Sequence, residues 1–322
     1  MRAASLPDEL PESFSVGAAV ELGVSRRRLR AADLSSPFHG VRTRSAPPDD
    51  GFEASVRRRS TEYAARMRDC EFFSLVAAAV MWDAPLPSSV FHLRDASGRL
   101  VERPLDVGVI LPSRASRARG VRGTSIAEGM GSVRTEPASG LRATSPATTW
   151  AMMGALLQRD DLIALGDAFV REPMRPGDPP ALATIAELAA ALEAGRRRGA
   201  ATLRDALPLV RTRSRSRKET ETRLTLIAAG LPEPSLNWPV VVAGKVVALI
   251  DLAYPESKVG FEYEGEQHLT DPHQWASDIR RYEMLADLGW RIIRVTKSDL
   301  AEHRSPFVER ARAAFTGRTR LS

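Results

Sequence analysis

The stretch Ile250–His268, IDLAYPESKVGFEYEGEQH, constrains this chain more than any other. Its apolar residues are those of a sheet, yet it carries Asp251, Glu262, Glu264 and Glu266. A buried carboxylate is costly unless it is paired, protonated or bound to a cation. The segment PESK reads as a four-residue turn between two strands. If Tyr254 pairs with Val259 across it, Asp251 falls opposite Glu262, with Cβ atoms about 4.5–5.5 Å apart. Glu264 then lies on the same face as Glu262. Like charges that close need a cation or a shared proton. Hard oxygen donors without cysteine select Mg²⁺ or Mn²⁺. Glu262 or Glu264 taken alone could face solvent on a half-exposed strand. Asp251, inside the run VVALIDLA, could not do so as easily.

The flanking residues read as one mixed α/β block. Ser216 and Glu219 have capping-box spacing, and the helix KETETRLTLIAAG ends at Gly230, a natural stop. Leu224 and Ala228 mark its apolar face, and Glu221 has the spacing to share that face. An edge position that lets Glu221 reach water is the alternative. WPVVVAGKVVALIDLAY reads as two strands around a turn at Ala243-Gly244. HQWASDIRRYEMLADLG reads as an amphipathic helix with Asp278, Arg280 and Arg281 on its polar side. WRIIRVT is a strand, Thr296–Asp299 starts a short helix, and Ser305-Pro306 starts the last one. The order is helix, three strands, helix, strand, helix.

Upstream, FSVGAAVELGV has helical spacing, and Ser25 is a good cap for RRRLRAADL. Arg26, Arg27, Arg28 and Arg30 would then face outward, and SSPFHGVRTR would supply a turn-rich wing. The pair reads as a small winged helix-turn-helix whose arginines meet DNA phosphates. Solvated surface arginines are the alternative. A helix is expected over 60–82 and strands over 88–112. SRASRARGVRG reads as a basic loop, and helices are expected at TTWAMMGALLQ, DDLIALGDAFVRE and LATIAELAAALEAG. Arginines alternate at 211, 213, 215 and 217, either as a solvated linker or as a phosphate-tracking arm. The clearest domain boundary falls near 205–215.

Composition narrows the class. The net charge is +6, largely from arginine, which suits a polyanionic partner and bidentate phosphate contacts. The single cysteine, Cys70, excludes an intrachain disulfide and a zinc site built from cysteine pairs, and is expected as a small buried apolar residue. The N-terminus lacks the apolar core of a signal peptide, and the longest apolar run, FFSLVAAAVMW, is too short to span a bilayer. A soluble, cytoplasmic protein without membrane contact is expected.

Glu221, Asp251 and Glu262-Tyr263-Glu264, followed by a helix and GWRIIRV, resemble the PD-(D/E)XK restriction-endonuclease-like fold. The run Glu262-Tyr263-Glu264-Gly265-Glu266-Gln267-His268 and the pattern Asp278, Arg281, Leu285, Gly289-Trp290, Arg294-Val295 are similar to the bacterial endonuclease-domain family related to very-short-patch repair nucleases. This resemblance covers roughly 205–315. SVGAAVELGVSRRRLRAADL and FHGV resemble the winged-helix region of AbiEi-type antitoxins, and the middle segment, with GLRATSPATTWAMMGALL and DLIALGDAFVRE, looks like the architecture of such proteins. Three regions are expected: a winged-helix DNA-binding domain at 1–50, a middle α/β domain at 51–204, and an endonuclease-like αβββαβ domain at 205–322. The resemblance implies a Mg²⁺- or Mn²⁺-dependent endonuclease acting on double-stranded DNA. Asp251, Glu262 and Glu221 would hold the metal, Glu264 or His268 would manage protons, Gln267 would steady the histidine or a phosphate, and Arg280 and Arg281 would contact the nucleic-acid backbone. One departure stands out: the motif's lysine is Glu264 here, so that role would pass to Gln267, His268, Lys245 or Lys258. A non-catalytic DNA-binding regulator of the antitoxin class is the alternative. A homodimer fits either reading, and a toxin partner fits the second.

Overall fold

The computed structural model describes residues 4–44, 51–264, 272–301 and 304–315, except for the side chains of 272–278. In chain order the first elements are β1 (Ser13–Ser15), α1 (Val16–Glu21), β2 (Val41–Thr43), α2 (Phe52–Ala64), β3 (Glu71–Phe73), α3 (Leu75–Met81), β4 (His92–Arg94) and β5 (Leu100–Glu102). Next come β6 (Leu105–Ile110), β7 (Val121–Ile126), β8 (Val133–Thr135), β9 (Arg142–Thr144), α4 (Pro146–Met153), α5 (Arg159–Val170), α6 (Ile185–Glu193) and α7 (Ala200–Ala206). The last are α8 (Arg217–Ala228), β10 (Ser235–Val242), β11 (Lys245–Tyr254), β12 (Val259–Tyr263), α9 (Pro272–Asp287), β13 (Arg291–Val295) and α10 (Ser305–Ala314). The fold is mixed α/β, as the sequence predicts.

The chain divides into two units rather than three. One is Met1–Leu162 with Ala183–Leu207, and the other is Ile163–Leu182 with Pro208–Ser322. The boundary expected at residue 50 is absent because the N-terminal segment packs directly on α2 and the turn after it. Phe38 meets Tyr63 edge-on at 5.2 Å, and Arg66 donates to the His39 carbonyl at 2.5 Å. The boundary near 205–215 falls at 207/208, but the second unit also claims Ile163–Leu182. Asp167 explains that claim. It is 1% exposed and accepts from Thr220 Oγ1 at 2.7 Å, Arg223 Nη2 at 2.9 Å and the Arg211 backbone N–H at 2.7 Å.

In the first unit the sheet order is β7-β6-β3-β9-β8, with β3 parallel to β9 and antiparallel to β6. The apolar run expected as one helix over 60–82 is split. Phe72 and Phe73 form a buried strand, and Leu75–Met81 a buried helix. A short continuous apolar run has no periodicity to separate the two. The expected second helix after Ser25 is a single 3-10 turn, Arg28–Arg30. The Arg28 guanidinium is drawn to Asp33 at 2.7 Å and to the Ala4 carbonyl at 2.5 Å, so the chain turns back where a recognition helix would continue. Cys70 is half-buried rather than fully buried.

The second unit holds the sheet β10-β11-β12-β13, antiparallel except for the parallel pair β12–β13. Ala243 and Gly244, both at positive φ, make the tight β10–β11 turn. One sheet face is covered by α8 and α10 around Leu252, Phe261 and Phe307. The other is covered by α9 around Ile250, Leu285 and Trp290. Gly260 is required by this second layer, because a Cβ there would sit 2.7 Å from Ile250 Cγ2 and 2.8 Å from Ile292 Cδ1.

Candidate active site

Tyr254 pairs with Val259 and Leu252 with Phe261. Asp251 and Glu262 are the residues immediately beyond the last of these pairs. Asp251 Oδ2 accepts a hydrogen bond from the Tyr263 backbone N–H at 3.1 Å. Glu262 is 5% exposed. Both its oxygens accept from the Arg281 guanidinium at 2.7 Å, and Oε2 also accepts from the Tyr282 hydroxyl at 2.7 Å. The Tyr282 ring carries two guanidinium groups, Arg281 at 4.6 Å and Arg294 at 5.6 Å from its centroid. Arg294 in turn pairs with Glu264, whose backbone N–H donates to the Val295 carbonyl at 2.8 Å.

The acid of α8 whose charge acts on Asp251 is Glu219, where the sequence pointed to Glu221. Glu221 lies on α8 beside Arg217 at 2.9 Å and Lys218 at 2.6 Å, and both neutralise it. Glu219 is 6% exposed, and its Oε2 accepts from the Arg215 backbone N–H and from Asn237 Nδ2, both at 2.9 Å. The Ser216 cap forms as expected, with its hydroxyl accepting from the Glu219 backbone N–H at 3.1 Å. Periodicity misassigned the acid because α8 has no single buried face. Thr220, Thr222, Arg223, Leu224, Thr225 and Leu226 are all buried, while Ala228 is exposed.

The electrostatics centre on Asp251. Burial, then the negative charge of Glu219, then that of Glu262, push its carboxyl up to about 7. Burial also raises Glu219. Burial and the adjacent Glu262 carboxylate raise the Tyr282 hydroxyl, which therefore stays a donor.

A divalent ion fits the chemistry of these donors. They are all hard oxygens, Asp251 Oδ1 takes no hydrogen bond among the described residues, and the charge of Arg281 offsets only part of the effect of burial and the two neighbouring acids on Asp251. The present pairing does not gather them around one point. Among the described residues no three His, Cys, Asp or Glu side chains form a group that could hold a metal. Glu262 could join such a group only by exchanging Arg281 for the ion.

Gln267, His268 and Glu266 lie outside the described residues. Arg280 is exposed, while Arg281 is committed to Glu262. Lys258 donates to the Leu288 carbonyl at 2.8 Å, and Lys245 stands at the opposite end of β11 from Asp251. Arg26, Arg27 and Arg30 are exposed around the 3-10 turn. The alternating arginines are neither a solvated linker nor a free arm. Arg211 pairs with Glu233, Arg215 with Asp178 and Arg217 with Glu221, and Arg213 donates to the Asn237 carbonyl.

Comparison with known proteins gives relatives without an assigned activity. Two uncharacterized proteins of Mycobacterium tuberculosis, MT2308 of strain CDC 1551 / Oshkosh and Rv2248 of strain ATCC 25618 / H37Rv, are each 33% identical to this chain over 167 residues. That match covers 52% of this chain and 59% of each relative, so the chain spans little more than half the length of the curated relatives it matches. No protein-family profile matches, and no solved structure matches. No described helix is long and apolar enough to cross a membrane.

Proposed function

We propose that this protein is a metal-dependent endonuclease of the PD-(D/E)XK type that hydrolyses phosphodiester bonds in double-stranded DNA, acting in the cytoplasm. One observation carries the reading: Asp251 is a largely desolvated carboxyl, raised to about 7 first by that desolvation and then by the negative charges of Glu219 and Glu262. Carboxyls perturbed by desolvation and by a specific charged neighbour cluster at functional sites. Asp251 and Glu219 would hold Mg²⁺ or Mn²⁺, with Glu262 joining as Arg281 moves away. The ion would supply an activated water and neutralise charge on the phosphate. The Tyr263 backbone N–H orients Asp251, Asn237 orients Glu219, and the released Arg281 guanidinium matches a phosphate.

A second reading is a non-catalytic DNA-binding regulator of the antitoxin class. The pairing of Glu262 with Arg281, and of Glu264 with Arg294, favours it, because the protein then neutralises these acids itself. Cleavage of supercoiled plasmid with Mg²⁺ or Mn²⁺, with EDTA, and with an Asp251→Ala/Glu262→Ala double variant separates the two. Metal-dependent nicking lost in the variant supports the nuclease. Folded wild type that binds duplex DNA and cuts with neither metal supports the regulator.

A further inference from the structure

The first unit contains a cleft of about 1260 Å³ whose wall is strongly cationic. His39, Arg66, Arg68, Arg114, Arg117 and Arg119 line it, and Glu71 is the one acid among its described lining residues. Glu71 is already committed: it is 2% exposed, pairs with Arg68 at 2.8 Å and accepts from the Tyr63 hydroxyl at 3.2 Å. Arg114, Arg117 and Arg119 are exposed, and among the described residues no acid pairs with them. They project from one loop between β6 and β7 that is fixed at several points. Arg68 donates to the Arg114 carbonyl at 2.7 Å, and the Ser116 hydroxyl lies 3.1 Å from that of Tyr63. The Ser116 carbonyl passes so close to β7 that a Cβ at Gly123 would stand 2.3 Å from it. Ordering a loop that carries three unpaired cations brings like charges together, a cost that an anionic ligand would relieve.

We propose that this cleft binds the sugar-phosphate backbone of duplex DNA, and that it, rather than the N-terminal segment, is the main nucleic-acid surface of the chain. Guanidinium groups suit phosphates and read no sequence on their own. Among the described residues no Phe, Tyr or Trp lines the cleft, so these supply none of the stacking platforms that single strands need. A cleft, unlike a flat basic patch, suits a rod better than a membrane surface. The N-terminal alternative has lost its recognition helix to a 3-10 turn.

The test is binding of a short fluorescent DNA duplex of random sequence to the full chain in EDTA, so that the outcome is independent of whether the acid site cuts. A single strand of the same composition and vesicles containing phosphatidylserine serve as competitors. The expected result is duplex-preferring, salt-sensitive binding. In the Arg114→Ala/Arg117→Ala/Arg119→Ala variant the slope of log affinity against log salt should shrink by about three, one for each arginine. The corresponding lysine substitutions should keep most of the binding, and Arg117→Glu alone should weaken it. Unchanged affinity and salt slope in the triple alanine variant would overturn the proposal. So would stronger arginine-dependent competition by the single strand or by the vesicles than by unlabelled duplex.

Discussion

Arg281 grips both carboxylate oxygens of Glu262 at 2.7 Å, from one turn of α9 onto the end of β12. The pair neutralises an acid that is otherwise almost sealed from water. Arg281→Ala should leave Glu262 with Tyr282 as its remaining donor and cost about 2 kcal/mol, below the usual cost for a fully buried pair because Arg281 is partly exposed. The double change Arg281→Met/Glu262→Leu should recover most of that loss. Urea denaturation of the three variants checks both statements.

Asp251 should make the fold weaker as the solution becomes more alkaline. Its carboxyl is raised from an ordinary 3.8 to about 7, so between those values the native state holds a proton that the unfolded chain has released. Stability contributed by this group is therefore full below about pH 4 and is lost as pH rises toward 7, by at most about 4 kcal/mol. Asp251→Asn should flatten that slope and be more stable than wild type at pH 8. Melting temperatures across pH 4–8 in EDTA should show it, and an unchanged slope in the variant would sink the assignment.

Glu219 and Glu221 should part company in any activity assay. Glu219→Gln should reduce metal-dependent nicking by about 10–100-fold, the usual cost of losing a group that supports a metal site. Glu221→Gln removes an acid already tied to Arg217 and Lys218, and should leave nicking within about twofold of wild type because the two cations already neutralise it. Equal losses would return Glu221 to the site.

Asp167 should be the most sensitive structural position of the second unit. Asp167→Ala strands Arg223, which is 0% exposed and keeps Glu233 as its other charged partner, and should cost about 3–5 kcal/mol. Asp167→Leu combined with Arg223→Met should be markedly milder. Chemical denaturation of the single and double variants decides it.

What the sequence disclosed was set by short-range chemistry. The Ser216 cap, the stop at Gly230, the Ala243-Gly244 turn and the Tyr254–Val259 register are local, so each could be placed from neighbouring residues. Asp251 and Glu262 follow directly on that register. Glu219 was missed because α8 is packed on several sides with threonines and an arginine, so its apolar spacing no longer points to one face. A lone acid in an apolar strand also gave no hint that Arg281, from a helix later in the chain, would take up Glu262. The membership of Ile163–Leu182 in the second unit rests on partners far away in sequence, Asp167 with Arg223 and Asp178 with Arg215, and the expected N-terminal recognition helix is a 3-10 turn whose Arg28 bonds back to Ala4.

The interleaved order of the two units has a bearing on descent. Residues 208–322 look like a self-contained cassette, yet Arg223 within them closes on Asp167, which is encoded before the intervening segment 183–207. A single genetic crossover that transplanted the cassette would deliver a desolvated guanidinium without its buried carboxylate, left to the more exposed Glu233 alone. The acid-bearing unit is therefore inherited intact only with its upstream helix, or after Arg223 has been replaced.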